Sequence, residues 1–190
     1  MGRFPKPRRN NGQSPFTLPS ESGSATFSTF ERIDDNMQKF KTRHFGEIEY
    51  DPVRAISFPQ GIPGFPNCTK YLLMSESETE DTFFWLQSLE DGDVAFTLMN
   101  VYGVLPDYNP QVEEDELSDL GDIEGRQLDI YNIAVIPEYS RSMRVNLKAP
   151  VVINETTGIG KQVICANDDY PIRFMIFDEL ERTGKTLRLP

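Results

Sequence analysis

Short β-branched or aromatic runs, separated by turn residues, are the feature that most limits what this chain can fold into. The runs occupy residues 45–50, 53–58, 71–74, 83–89, 94–102, 128–136, 143–153 and 160–166. Asp91-Gly92 and Thr157-Gly158 supply tight turns between consecutive runs. The pattern predicts a mainly β fold, a small antiparallel β-barrel or sandwich with one or two short helices.

Two segments have helical character. Residues 112–120 place Val112, Leu117 and Leu120 in a weak apolar stripe, which predicts a short helix. Residues 177–183 are a second candidate, ended by Gly184.

The ends of the chain differ from its middle. Residues 1–40 are rich in Ser, Pro, Asn, Gly, Arg and Thr, and their few apolar residues follow no period. Such a composition does not bury enough apolar area to offset the ordering entropy, so we expect a disordered leader. The leader has a positive tip, formed by Arg3, Lys6, Arg8 and Arg9. We expect one β domain over 41–173 and a C-terminal tail, 174–190, that holds the second helical segment.

The formal net charge of -11 constrains the partners of the chain. It argues against binding to a nucleic-acid backbone, which requires Lys and Arg to displace counterions. It is compatible with a basic protein partner, but on charge alone simple solubility is the favoured explanation. The sequence has neither a signal peptide nor a run of apolar residues long enough to span a membrane, so we expect a cytoplasmic protein.

Few residues could carry catalysis or hold a metal. His44, Cys68 and Cys165 cannot supply the four ligands of a structural zinc site, and buried thiols explain the two cysteines. His44 adjoins Phe45 in a predicted strand, where a structural role is expected, and no GxSxG motif is present. The abundant carboxylates are not flanked by the apolar residues that raise a pKa for acid catalysis. We therefore expect no enzyme, no metal and no cofactor.

The stretch FPQGIPGFP (58–66) interrupts the strands with three prolines and two glycines. It lacks the GxxxxGK[ST] pattern of a phosphate-binding loop. Pro59 and Pro63 fix φ near −65°, whereas Gly61 and Gly64 allow positive φ, so successive tight turns are expected. Phe58, Ile62 and Phe65 would form an apolar plug at one end of the sheet structure. The stretch is interpreted as a structural corner.

The run 107–124, DYNPQVEEDELSDLGDIE, contains eight carboxylates and no Lys or Arg. One interpretation is a solvated loop and helix. The other is a docking surface for a basic protein, with Tyr108 and Leu117 as apolar anchors in an acidic field. The spacing does not fit a calcium-binding loop.

Several stretches, in order, resemble the family of the flagellar assembly factor FliW. They are RHFGEIEYD (43–51), ISFPQGIPGFPNCTKYLLM (56–74), FFWLQSLEDGDVAFTLMN (83–100), LPDYNP (105–110), IYNIAVIPE (130–138), VNLKAPVVINETTGIGKQVI (145–164) and YPIR (170–173). The resemblance implies a small β domain without catalytic activity. It also identifies FPQGIPGFP as similar to the signature turn of the family. The leader, the tail after residue 173 and Asn100-Val101, where Asp-Pro is expected, depart from the pattern.

The resemblance implies a protein-binding regulator of flagellum biogenesis. Family members bind the carbon storage regulator, an RNA-binding translational repressor, and relieve repression of flagellin mRNA; they also bind flagellin, which competes in a partner switch. A flagellin-specific export chaperone without a translational role is the alternative. The candidate partner-binding residues are Glu47, Gln87, Asp107, Tyr108, Glu113, Glu114, Glu116, Asn146 and Asn154. For Gln87, Asn146 and Asn154, hydrogen bonding to nearby backbone is an equally weighted alternative.

Overall fold

The computed structural model describes residues 2–3 by their backbone alone and residues 36–75, 82–121 and 128–187 with side chains. The strands in these ranges are β1 (Gly2–Arg3), β2 (Gln38–Thr42), β3 (Gly46–Tyr50), β4 (Ile56–Ser57), β5 (Lys70–Met74), β6 (Phe83–Ser88), β7 (Ala95–Met99), β8 (Gln111–Val112), β9 (Leu128–Val135), β10 (Arg144–Val145), β11 (Val151–Asn154), β12 (Ile159–Gln162) and β13 (Phe174–Met175). The α-helices are α1 (Glu114–Leu117) and α2 (Ile176–Thr183). The mainly β prediction is confirmed. Most of the residues expected to form a disordered leader, 1 and 4–35, lie outside the described ranges.

One large sheet organises the described residues, in the strand order β11-β12-β4-β5-β6-β7-β9-β10-β13. Because β11 also pairs with β9, the sheet closes on itself. Neighbouring strands in this sheet are antiparallel except β12 and β4, which are parallel and joined by the single register pair Ile159 and Ser57. The structure is therefore a β-rich sandwich whose sheet closes on itself, and not a strictly antiparallel barrel.

The two turns predicted from the sequence are present. Asp91-Gly92 lies between β6 and β7, where the backbone N–H of Val94 donates to the carbonyl of Asp91 at 3.1 Å. Thr157-Gly158 lies between β11 and β12, and Gly158 has a φ of 64°. A left-handed backbone favours glycine there, so the local sequence fixes this hairpin.

Two of the predicted strands are interrupted by side-chain caps. Residues 53–58 were expected to be extended, but a 3-10 turn covers Pro52–Arg54 because Asp51 accepts a hydrogen bond from the Val53 N–H at 3.0 Å. The expected strand 143–153 is divided into β10 and β11 because the Asn146 side chain accepts from the Ala149 N–H at 3.0 Å. Capping side chains offer the backbone a local alternative to the sheet.

The hairpin β2–β3 forms a separate two-stranded sheet that packs Ile48 and Tyr50 with Leu72 and Met74 of β5. His44 lies in the turn of this hairpin and not in a strand, and it is exposed. Its ring stacks on Trp85, with centroids 6.0 Å apart. The structural role expected for this histidine agrees with these contacts, although its position in a strand was wrong.

Helix α2 confirms the helix expected near residue 177 and starts one residue earlier. Ile176 and Leu180 are buried against a core cluster that includes Met143 and Val145. Gly184, with a φ of 66°, ends the helix as expected. The tail therefore packs on the β structure through this helix.

Candidate interaction surface

The acidic run adopts a short irregular helix with two distinct faces. Leu117 and Leu120 are buried in a core cluster with Val112. The opposite side carries the exposed carboxylates that we call the acidic surface: Glu113, Glu114, Asp115, Glu116 and Asp119. The predicted helix over 112–120 is thus shorter, since Val112 belongs to β8 and residues 118–120 form a 3-10 turn. Asp122 and Glu124 fall outside the described residues.

The β11–β12 hairpin fastens this segment to the main sheet. The carbonyl of Leu120 accepts hydrogen bonds from Asn154 Nδ2 at 3.1 Å and from Thr157 Oγ1 at 3.0 Å. Asn154 also accepts from the Thr156 N–H at 3.0 Å, which shapes the turn. Asn154 is fully buried, so it positions the acidic surface from beneath.

Lys161 of β12 neutralises part of the acidic surface. Its Nζ lies 3.1 Å from a carboxylate oxygen of Glu116 and 3.1 Å from one of Asp119. Desolvation lowers the pKa of Lys161, but the hydrogen bonds to these two carboxylates outweigh it and the pKa is raised. Within the described ranges no cation lies within 4.0 Å of the other three carboxylates, so they leave a net negative field.

The FPQGIPGFP turn lies against the same region. Gln60 Nε2 donates to Asp119 Oδ2 at 3.2 Å. Residues of the turn, β12 and Asp119 line a concavity of about 230 Å3. The acidic surface and the FPQGIPGFP turn therefore form one continuous part of the molecular surface.

The successive turns expected in this stretch are confirmed. The N–H of Gly61 donates to the Phe58 carbonyl at 2.8 Å, and Gly61 has a φ of 65°. Phe58 and Ile62 are buried, as expected of a plug. Phe65 does not complete the plug: it is 39% exposed and packs edge-on against Phe96, with centroids 5.2 Å apart.

Gln87 lies inside the fold, away from solvent. Its Nε2 donates to the carbonyls of Ser88 at 3.0 Å and Val94 at 3.1 Å, and thus braces the Asp91-Gly92 turn. Gln87 is fully buried. Together with the bonds made by Asn154 and Asn146, this geometry supports backbone capping, the structural alternative, for all three amides.

Tyr108 is buried in a polar network that the sequence did not indicate. Its hydroxyl donates to the Leu147 carbonyl at 2.8 Å and accepts from Asn132 Nδ2 at 2.9 Å. Asn132 also donates to the Asn146 carbonyl at 2.8 Å and is itself fully buried. Burial raises the pKa of Tyr108, so the phenol stays protonated. With Tyr108 and Leu117 both buried, neither is a surface anchor in this structure.

Asp107 and Glu47 are exposed but do not belong to the acidic surface as defined. Asp107 lines a groove of about 570 Å3, the C-terminal groove, which lies between the residue 104–108 loop, residues 169–174 and the end of α2. Glu47 lies on β3, where Lys39 Nζ is 3.3 Å from Glu47 Oε1 and 2.8 Å from Glu49 Oε1. The structure thus brings together Glu113, Glu114 and Glu116, but not all the candidates.

One carboxyl pair was missed by the sequence reasoning. Asp129 of β9 is partly buried, and desolvation, with a hydrogen bond to Glu155, raises its pKa to about 7. The expectation that no carboxyl would have a raised pKa was therefore wrong. The signal is weak in sequence because the two residues meet only through the pairing of β9 with β11.

In the part of the chain that the structure describes, no group of three or more His, Cys, Asp or Glu side chains is arranged to hold a metal ion. Cys68 and Cys165 are free thiols and both are buried, as expected. None of the described helices has the length and apolar character needed to cross a membrane.

The fold is that of a solved flagellar assembly protein. The crystal structure of the flagellar assembly factor FliW superposes with a TM-score of 0.67 at 29% sequence identity, covering 73% of this chain and 96% of the other. This similarity places the chain in the class of mainly β assembly factors.

Sequence comparisons identify the family. The family model described as FliW protein matches residues 39–176. The flagellar assembly factor FliW of Alkaliphilus metalliredigens is 36% identical over 142 residues, which is 75% of this chain and 88% of the relative. That of Caldicellulosiruptor saccharolyticus is 36% identical over 140 residues, 74% of this chain and 91% of the relative. The chain belongs to the FliW family.

Proposed function

We propose that this protein is a non-enzymatic, cytoplasmic regulator that binds the carbon storage regulator and thereby relieves repression of flagellin mRNA. Flagellin is the second partner and displaces the regulator in a partner switch. The observation that carries the proposal is the acidic surface, in which three carboxylates on a fastened helix lack a neighbouring cation in the described structure. A basic RNA-binding protein is the complementary partner.

The acidic surface is suited to this role because little of it needs to become ordered on binding. Its backbone is held by Asn154 and Thr157, and its apolar side is buried. A preorganised surface loses less conformational entropy on association. Glu113, Glu114 and Glu116 are therefore the contact residues we favour, and Glu47 and Asp107 remain candidates on other parts of the surface.

The test is calorimetric titration of the protein with the carbon storage regulator, alone and after saturation with flagellin. Glu113→Lys combined with Glu114→Lys should weaken binding about 10-fold at low salt, because it reverses two charges in the steering field. The matched control is Asp93→Lys with Glu138→Lys, two exposed carboxylates outside the acidic surface. Equal affinities for the two double variants would contradict the proposed role of the surface.

The alternative function is a flagellin-specific export chaperone, and the C-terminal groove is the observation that favours it. Leu105, Tyr170 and Phe174 contribute apolar lining, and the volume of about 570 Å3 suits an apolar side chain of a partner segment. Flagellin binding without any heat or complex on titration with the regulator would select this alternative.

A further inference from the structure

Strand β8 has an open edge that the backbone of the N-terminus occupies. Gly2 is the register partner of Val112, and Arg3 that of Gln111, in an antiparallel pair. In the described ranges β8 belongs to no other sheet. The backbone of Gly2–Arg3 therefore pairs with β8 by strand addition.

The other edge of β8 is already satisfied. The N–H of Gln111 donates to Asn167 Oδ1 at 2.6 Å, and its carbonyl accepts from the Ala166 N–H at 2.7 Å. Since backbone polar groups alternate in direction along a strand, those of Val112 point toward β1. An extended segment at this edge can therefore pair with the backbone of Val112. The pairing uses backbone N–H and C=O groups, so it requires no particular side chain.

Charge makes the N-terminal segment a suitable occupant. Strand β8 lies within the run 107–124, which has eight carboxylates and no Lys or Arg. Arg3, Lys6, Arg8 and Arg9 bring four cations within nine residues. The two runs have opposite charge, so the acidic run attracts the N-terminal segment.

We propose that β8 is a strand-addition site whose ligand is the chain's own basic N-terminal segment, held by backbone pairing at Val112 and by attraction to the acidic run. The positive charge of this ligand would compete with a basic partner for the acidic surface, which starts at the residue after β8. A basic partner then has to displace it, a consequence that rests on the proposed function; the docking itself does not.

A disulfide trap in the full-length protein tests the docking. Arg3→Cys with Gln111→Cys joins two directly opposed residues that do not exchange backbone hydrogen bonds, whose Cα atoms lie about 4.5 Å apart in such pairs. That distance suits a disulfide, and the native cysteines are buried. In a glutathione redox buffer, the fraction of intramolecular disulfide is measured by intact mass and non-reducing electrophoresis. From this fraction we expect an effective concentration of the two thiols about 10-fold or more above that of a control pair.

The control pair is Arg3→Cys with Val53→Cys, since Val53 is 81% exposed and belongs to another part of the chain. Equal disulfide formation in the two variants would overturn the proposal and leave the edge of β8 to a different chain. Adding Glu113→Lys and Glu114→Lys to the Arg3–Gln111 pair should slow cross-linking several-fold, as should raised salt. A rate independent of both would overturn the electrostatic part.

The trap contains no partner protein, so its result is independent of regulator binding. A chain that cross-links as expected but gives no heat with the regulator would contradict the proposed function alone. A chain that binds the regulator but does not cross-link above the control would contradict the strand-addition proposal alone.

Discussion

At the scale of the residue, Asp129 couples the stability of the fold to pH. The pKa of this carboxyl is about 7 because of burial first and the hydrogen bond to Glu155 second, whereas its ordinary value is 3.8. The folded state therefore holds a proton that the unfolded state has lost between about pH 4 and pH 7. Since the folded state binds more protons there, the free energy of unfolding falls as the pH rises through this window.

Asp129→Asn should remove that dependence. The amide keeps a donor for Glu155 and places no negative charge in this partly buried site, so we expect the variant to be more stable than the parent at pH 8 by about 1–2 kcal/mol. At pH 4 the difference should be small. Urea unfolding at the two pH values measures it, with the exposed Asp168→Asn as the matched control. The assignment would be contradicted if the parent, compared with Asp129→Asn, did not lose stability between pH 4 and pH 8.

Single residues are also where the sequence was least informative. Gln87, Asn154 and Asn132 are polar residues in strands, and a shift of one residue in register would place each on the opposite face. Register is settled by packing and pairing across the whole sheet, which a local pattern does not contain. The hydrogen-bond partners of Gln87 and Asn154 belong to turns whose positions relative to these side chains a local sequence pattern does not give.

At the scale of the element, helix α2 acts as a cover for the second core cluster. Ile176 and Leu180 are buried, and Lys185 Nζ, just past the helix, donates to the carbonyls of Gly103 and Val104 at 3.0 Å each. The family match ends at residue 176. The helix therefore adds apolar packing at the end of the shared domain.

Leu180→Ala should cost about 2–4 kcal/mol of stability, because it removes a buried side chain whose place neighbouring residues fill only in part. The control is Glu181→Ala, which deletes an exposed pair with Arg141, at 2.6 Å, and should cost less than about 1 kcal/mol. Thermal unfolding followed by circular dichroism gives both values. Equal small losses would mean that α2 does not support the core.

Elements with strong local signals were predicted well. The Thr157-Gly158 hairpin and the Gly184 end of α2 each depend on a backbone conformation that few residues adopt. Strand continuity was predicted poorly where a polar side chain competes with the sheet, as at Asp51 and Asn146. Strand β8 was missed because two residues show no period and their pairing partner is more than a hundred residues away in sequence.

At the scale of the whole molecule, the closed sheet has one weak junction. Strands β12 and β4 are joined by a single register pair and by the hydrogen bond from the Ser57 N–H to the Gly158 carbonyl at 2.8 Å. The other junctions are longer, such as the five register pairs of β6 and β7. A short ladder has few bonds to break when the sheet opens locally.

Amide hydrogen exchange should therefore be faster at Ser57 than at Leu86 in the centre of β6, by about 100-fold or more under native conditions. The reason is that opening the β12–β4 junction leaves the remaining antiparallel ladders intact. Exchange followed by NMR compares the two amides directly, with Leu98 of β7 as a second slow reference. Equal protection at Ser57 and Leu86 would show that the sheet opens only as a whole.

The closure of the sheet also sets the order in which the protein is completed during synthesis. Ser57 and Ile159 pair across 102 residues of sequence (159 − 57), so the junction forms only after β12 has been synthesised. Asn154 and Lys161, which fasten and partly neutralise the acidic surface, belong to the last strands of that closure. A nascent chain thus acquires a rigid acidic surface only after β12 has been synthesised, and a partner that recognises that surface distinguishes chains with a closed sheet from chains in which the sheet is still open.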